Sequence, residues 1–538
     1  MPYFFVGVPL ESQYNPKAKP NIQIVLTLLW ESATLRRDCG AGLTSFASNR
    51  YLGPMFDKLA CCACLAPLVA LGADAPSAHR EMTALVDAHA TEYRLVSRQI
   101  WEFAEVGYQE HRSSELLEQH LKQAGFTVQA GVAEIPTAFV ATFGAGKPVI
   151  GILGEFDALP GLSQDAVPER KVLVANAPGH GCGHNLLGAG GALAAVAVKD
   201  YLAAHHLPGT VRFYGTPAEE GCSGKVYMVR AGLFRDVDVV LHWHPGDRNA
   251  VTTGDGMLAV ISAKFEFHGL AAHAAAAPEM GRSALDGVML MGNAVEFLRE
   301  HVPSVTRIHY IISKGGVAPN VVPDDAEMFL YARHPAMPVL TGIWDRILAC
   351  AHGAAEATGT TVEVRIVSSD YNILNNTPLA ERMFQNLAEL GGITYTPAEA
   401  DFAVRLTALL PPGAHPKPGA QSRVEPLHRD SSAEGSASTD VGDVSWVVPT
   451  MGVTTATWVS GTPAHSWYAV AASGTEIGQD GMVLASKALA ITAQDLFADP
   501  QLVAAAKQDL ARRLEGQQYH SQIPANQKPP LDYRKLGN

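Results

Sequence analysis

Between residues 77 and 124 the sequence is polar, with apolar positions returning at helical spacing: Ile100, Phe103 and Ala104 in one run, Leu116, Leu117 and Leu121 in the next. Gly125 supplies a stop, so two helices are predicted. The period then shortens. Residues 126–128 and 138–143 read as short strands and 148–153 as a buried strand. Residues 187–204 are rich in Ala and Gly over a helical length, a helix whose small face can press close to a sheet. Strand-like runs follow at 210–215 and 238–241.

A different order begins near residue 259. A strand at 259–267, a helix at 283–299, strands at 309–313 and 327–333, a helix at 340–358 and a strand at 361–367 follow one another. This β-α-β-β-α-β order over roughly 110 residues is that of a split βαβ sandwich, a self-contained module. The expected fold is therefore α/β: a main domain in two parts, 77–258 and 369–510, with a mixed β-sheet flanked by helices, and an inserted ferredoxin-like domain at 259–368. Residues 411–435 are rich in Pro, Gly and Ser and read as a mobile loop. A strand near 454–459 and an alanine-rich helix at 481–497 complete the pattern. From about 516 the chain is polar with several prolines and is expected to lack core contact, within a tail at 511–538.

With 538 residues and 47% apolar content, the chain can bury the cores of two or three domains. A net charge of -13, with no basic run in the body of the chain, argues against a nucleic-acid partner. Seven cysteines define no disulfide framework, and Cys61, Cys62 and Cys64 cluster in the apolar run 59–71. That run is shorter than the roughly 20 residues that span a bilayer. It follows Met55 and Lys58 and precedes Ala73 and Ala75 in an A-x-A arrangement, which reads as a signal peptide at 55–75. The protein is then expected in the periplasm or outside the cell, off the membrane once the signal is removed. If 59–71 is a buried helix instead, the cytoplasm is expected. Residues 1–54 have no evident role and read as an over-long start.

Candidate chemistry gathers on 178–187, Pro-Gly-His-Gly-Cys-Gly-His-Asn-Leu-Leu. In extended backbone Cys182 and His184 point the same way and can converge on one ion, while three glycines leave room for it. Asp157 sits just past a buried strand, where open α/β sheets keep their sites. Glu219 and Glu220 are adjacent at a strand end. They repel unless a cation or protons compensate, and they suit a division in which one binds metal and the other moves a proton. His242 and His244 share one side of the next strand, so either could be a ligand. His465 stands at a loop edge after a further strand. Thiolate, imidazole and carboxylate together fit zinc or manganese. Five ligands exceed the four of a tetrahedral zinc, which implies two divalent metal ions bridged by the Cys182 thiolate. Such a pair acidifies water and polarises a carbonyl, the equipment of a hydrolase.

The same motifs carry a resemblance. Asp-Ala-Leu-Pro at 157–160, His-Gly-Cys-Gly-His at 180–184, Pro-Ala-Glu-Glu at 217–220, Trp-His-Pro at 243–245 and Ala-Ala-His-Ala from 271 are joined by Pro-Asn-Val-Val-Pro at 319–323 and the stretches near 438–467. Together they resemble the co-catalytic metallopeptidase family that includes carboxypeptidase G, aminoacylases and the plant auxin-conjugate amidohydrolases. The resemblance implies a zinc-exopeptidase-like main domain, with the insert as lid and dimerisation domain. It implies that Cys182, His184, Glu220, His244 and His465 bind the metals, His244 being preferred to His242. Glu219 would be the general base, and Asp157 would orient a ligand. His273 and Asn320, often acting across a dimer in similar proteins, would steady the oxyanion. Arg333 would pair with a substrate carboxylate. Where many members carry a ligand histidine two residues before the aspartate at 157, this chain has Glu155, as in the cysteine-bridged branch. The implied activity is hydrolysis of the amide of N-acyl or N-aroyl amino acids, aroyl-glutamates among them, by a homodimer with or without a second kind of subunit. A dipeptidase or aminopeptidase on this scaffold is the alternative, and a non-catalytic binding protein the third.

Overall fold

The computed structural model describes residues 75–252, 257–427 and 437–534. Segment 1–54, and the expected signal peptide up to residue 74, lie outside the described residues. Two helices, Ala75–Phe103 and His111–Gln123, open the fold where the spacing predicts them. The first strands are β1 (Thr127–Ala130), β2 (Phe139–Ala145), β3 (Val149–Gly154), β4 (Gly209–Gly215), β5 (Val239–Gly246) and β6 (Ala250–Thr252). Then come β7 (Ala259–His268), β8 (Arg307–Lys314), β9 (Asp325–His334), β10 (Thr361–Asp370) and β11 (Thr450–Ala456).

One sheet has the order β1-β2-β4-β3-β5-β11-β6. Its centre, β4, β3, β5 and β11, is parallel, and the flanking strands run antiparallel. β3 is buried at every position, as its unbroken apolar run requires of a central parallel strand. Helix His184–Ala204 is apolar nearly all round because it lies between the sheet, helix Ala75–Phe103 and helix Glu476–Ala498. Its small face is needed: a Cβ at Gly191 would stand 2.7 Å from the Leu153 carbonyl. The four parallel strands end on the same edge of the sheet, so the segments leaving them are brought together.

Strands β7 to β10 form a second, antiparallel sheet in the order β10-β7-β9-β8. Helices Ala284–Arg299 and Met337–Thr358 pack on it, and β9 alternates buried and part-exposed along its length. This is the split βαβ arrangement, inserted between the two parts of the main domain.

Two expectations from composition fail. As far as residue 427, the segment from 411 is tethered rather than free: Asn249 Nδ2 donates to the carbonyls of Gln421 and Arg423, and the Ile393 amide donates to Gln421. Residues 428–435 of that expected loop lie outside the described residues. Nor does the segment from 516 lack core contact. Ile523 is buried in the core, and Arg230 holds the carbonyls of Pro524 and Gln527. Side chains elsewhere satisfy the backbone of both segments, which their own composition does not disclose. Ile523→Ala is expected to destabilise the protein by about 2 kcal/mol, read as a lower urea midpoint at unchanged slope; no shift would mean that the segment contributes nothing to the core.

Candidate metal centre

Cys182 closes the long loop that leaves β3, and His184 opens the helix that follows. Gly183 between them has φ +75°, a conformation that a side chain would strain. A Cβ at Gly181 would meet Leu162 at 2.6 Å. The glycines therefore let the thiol reach the strand ends. Its Sγ lies 3.4 Å from His244 Nε2 at the end of β5. Ligand atoms of Cys182, His184 and His244 lie within 4.8 Å of one another, and so do those of Cys182, Glu220 and His465. Cys182 belongs to both groups. A third group, Glu155, His184 and Glu219, adjoins them through His184.

The imidazoles are oriented from outside. His184 Nδ1 is 2.9 Å from Asp157 Oδ1, and His244 Nδ1 is 2.7 Å from the Pro245 carbonyl oxygen, which leaves each Nε2 turned inward. The other Asp157 oxygen accepts the Glu220 backbone N–H at 2.9 Å and so ties the β3 and β4 loops together. Three buried atoms of these groups have no hydrogen-bond partner among the described residues: His184 Nε2, Glu155 Oε2 and Glu220 Oε1. The first two face each other at 3.2 Å, and Glu220 Oε1 faces His465 Nε2 at 3.2 Å. Bonds of about 2.1 Å at a tetrahedral angle place neighbouring donors about 3.4 Å apart. The donor set and its spacing fit cations shared between these side chains.

Charge is managed by residues to which the sequence reading gave no role. Lys225 is fully buried, with Nζ 2.6 Å from Glu155 Oε1 and 2.6 Å from Asp440 Oδ1. Burial opposes the Glu155 charge, but Lys225, His184 and His244 hold its carboxyl below the usual range. Asp157 is likewise held low against burial, chiefly by His184. For Glu219 the balance tips the other way: burial, then the charges of Glu155 and Glu220, outweigh the opposing His184 and push its carboxyl well up. Burial also pushes the Cys182 thiol up, so a thiolate there calls for a cation. A lone Lys on a helix such as Gly224–Arg230 gives no signal in sequence. Asp440 lies in the stretch that begins near 438, and only its contact with Lys225 gives it a part.

Other expected residues stand apart from the cluster. His242 faces its partner Gly452 on β11, where a Cβ would come within 2.5 Å of the ring, and burial pushes it down to about 4. It joins neither ligand group. His273 and Asn320 are exposed neighbours in the inserted module, linked by the Ala274 amide donating to the Asn320 carbonyl at 3.0 Å. Among the described residues no hydrogen bond or ion pair joins them to the candidate metal ligands. Arg333, on β9, donates to Ser438 Oγ at 2.9 Å.

Asp370, at the end of β10, hydrogen-bonds the Ser223 hydroxyl; burial and the Asp440 charge raise its carboxyl from 3.8 to about 7. Between those values the folded state holds a proton that the unfolded chain releases. Its stabilising contribution is thus full below the lower value and is lost as pH rises through about 7. Asp370→Asn is expected to add more stability at pH 8 than at pH 5 in denaturant titrations; equal shifts at the two would refute the assignment.

Residues 151–412 match the family described as Peptidase family M20/M25/M40. The chain is 41% identical over 467 residues to one of the subunits of the p-aminobenzoyl-glutamate hydrolase of Escherichia coli (strain K12), covering 82% of this chain and 97% of that protein. It is 31% identical over 454 residues to the Homo sapiens Xaa-Arg dipeptidase, covering 81% and 92% respectively. Its fold is similar to that of a dinuclear metal-binding M20 peptidase from Bacillus subtilis, with a TM-score of 0.51 at 17% identity over 77% of this chain and 99% of that one. A shared thiol, inward imidazoles and an acidic pair at the strand ends thus sit in a sequence and a fold of one lineage, and the chain belongs to peptidase family M20/M25/M40.

Proposed function

We propose that the protein is a two-metal amidohydrolase that cleaves the amide between an acyl or aroyl group and an amino acid, with aminobenzoyl-glutamate-type molecules as substrates. The observation that carries this reading is the position of Cys182 in two ligand groups at once. Cys182, His184 and His244 hold one cation, and Cys182, Glu220 and His465 the other, as zinc or manganese. Bound there, the cations supply Lewis-acid polarisation of a carbonyl and acidify water. Glu219, whose carboxyl burial and neighbouring acids make a strong proton acceptor, takes the proton from water and returns it to the leaving amine. Asp157 keeps the His184 ring in register. Arg333 takes a substrate carboxylate, and the name of the Escherichia coli relative motivates the aroyl-glutamate choice.

A second reading, dipeptide hydrolysis, draws on the human relative. It requires a free substrate amine, and a panel of N-aroyl-glutamates beside dipeptides separates the two. For the amidohydrolase, chelation is expected to abolish turnover and added zinc or manganese to return it. Glu219→Gln is expected to keep its metal content and lose about 10² to 10⁴-fold in kcat. Full activity in metal-free protein would sink the proposal.

The reading includes a homodimer built on the inserted module. β8 is an edge strand carrying exposed Ile311, and helix Ala284–Arg299 beside it exposes Met289 and Phe297, the latter 74% exposed. An unpaired apolar edge of this kind favours pairing with a second copy. Across it, His273 and Asn320 serve the partner's oxyanion. Phe297→Glu is expected to give monomers in sedimentation velocity and to lower turnover along with the dimer; a fully active monomer would exclude action in trans.

A further inference from the structure

The loop 218–223 carries Glu219 and Glu220 on strained backbone. Ala218 and Ser223 have φ +59° and +53°, left-handed conformations that residues with side chains keep only where the surroundings fix them. Four contacts come from other elements of the main body. Glu110 accepts the Ala218 N–H at 2.8 Å, and Asp157 accepts that of Glu220 at 2.9 Å. The Tyr108 hydroxyl donates to the Cys222 carbonyl at 2.8 Å, and the Ser223 hydroxyl bonds Asp370. A fifth comes from far along the chain: Arg534 Nη2 donates to the Glu220 carbonyl at 3.0 Å.

Arg534 arrives on a segment that is anchored along its course. Tyr519 donates to Asp443 at 2.7 Å, Ile523 is buried, and Gln109 holds the Leu531 carbonyl at 2.7 Å. The contact with Glu220 falls on a peptide that has another choice. Gly221, at φ +85°, tolerates either orientation of the 220–221 peptide, so the partner of the Glu220 carbonyl decides which is kept. Without that partner the 220–221 peptide is freed, and the loop that carries both carboxylates loosens.

We propose that residues 516–534 form a strap that sets the geometry of the proton-handling loop, with Arg534 a positioning residue for Glu219 and Glu220. The inference rests on the roles given to those two residues above. Because its hydrogen bond is committed to the loop backbone, Arg534 acts on turnover rather than on substrate affinity.

The experiment compares full-length wild type, Arg534→Ala and Arg534→Lys, by steady-state kinetics on an N-aroyl-glutamate and by amide hydrogen exchange. Arg534→Ala is expected to lower kcat about tenfold with KM within about twofold, the loss of roughly one charge-assisted hydrogen bond. Exchange in 216–226 should quicken while the rest of the chain is unchanged, and lysine, which can still donate once, should recover part of both effects. A raised KM at preserved kcat, or unaltered exchange at 216–226, would overturn the proposal. Should wild type hydrolyse none of the acyl amino acids or dipeptides, the functional reading fails, and the exchange result alone still decides the strap.

Discussion

Repulsion among four carboxylates is the constraint on which the rest of the site depends. Glu155, Asp157, Glu219 and Glu220 leave the ends of two neighbouring parallel strands and crowd one edge of a sheet that excludes water on both faces. Burial makes each charge costly, and nearness to the others makes it costlier. Lys225 relieves one side of the group through Glu155 and Asp440, and His184 relieves another through Asp157. The orphaned oxygen of Glu220 and the orphaned nitrogen of His184 both border Cys182. That is the side still lacking positive charge, and it is where cations would complete the balance.

The fold serves this balance by simple means. Parallel strands end together, so side chains hundreds of positions apart in sequence meet at one edge of the sheet. The close approach of helix His184–Ala204 to the sheet, allowed by its Gly and Ala face, puts Cys182 and His184 level with those strand ends. Orientation is then delegated outward: Asp157 turns the His184 ring and the Pro245 carbonyl turns that of His244. A ligand held from behind loses little entropy on binding, which is how a site of mobile side chains becomes a site of fixed donors.

The helices and strands were legible wherever one period dominated. The burial of β3, the small-residue helix after it and the order β7 to β10 follow from apolar runs, composition and alternation. Alternation alone could not choose between His242 and His244, because it puts both on one side. What separates them is Gly452, two hundred residues on, whose missing side chain makes room for the His242 ring. Lys225 was invisible for the same reason, since its meaning lies in Glu155 and Asp440. The segments 411–427 and 516–534 were misread because polarity and proline report what a segment cannot bury of itself. They are silent on whether Asn249, Arg230 or Gln109 will cap its backbone carbonyls.

On the reading proposed here, the two demands of amide hydrolysis are met by different modules. Cations need donors that are rigid in the resting enzyme, and the main domain provides them on strand ends packed from both faces. Oxyanion donors must already be in place when charge develops on the carbonyl oxygen, but they are needed only once substrate is bound. His273 and Asn320 suit that second demand: they are exposed, they belong to a module with its own sheet, and no hydrogen bond among the described residues ties them to the ligands. An arrangement with all donors fixed in one pocket would leave a bulky aroyl amino acid no way in. Keeping the proton-handling loop rigid from behind, while the oxyanion donors approach from a separate module, lets the same edge of the sheet be both accurate and accessible.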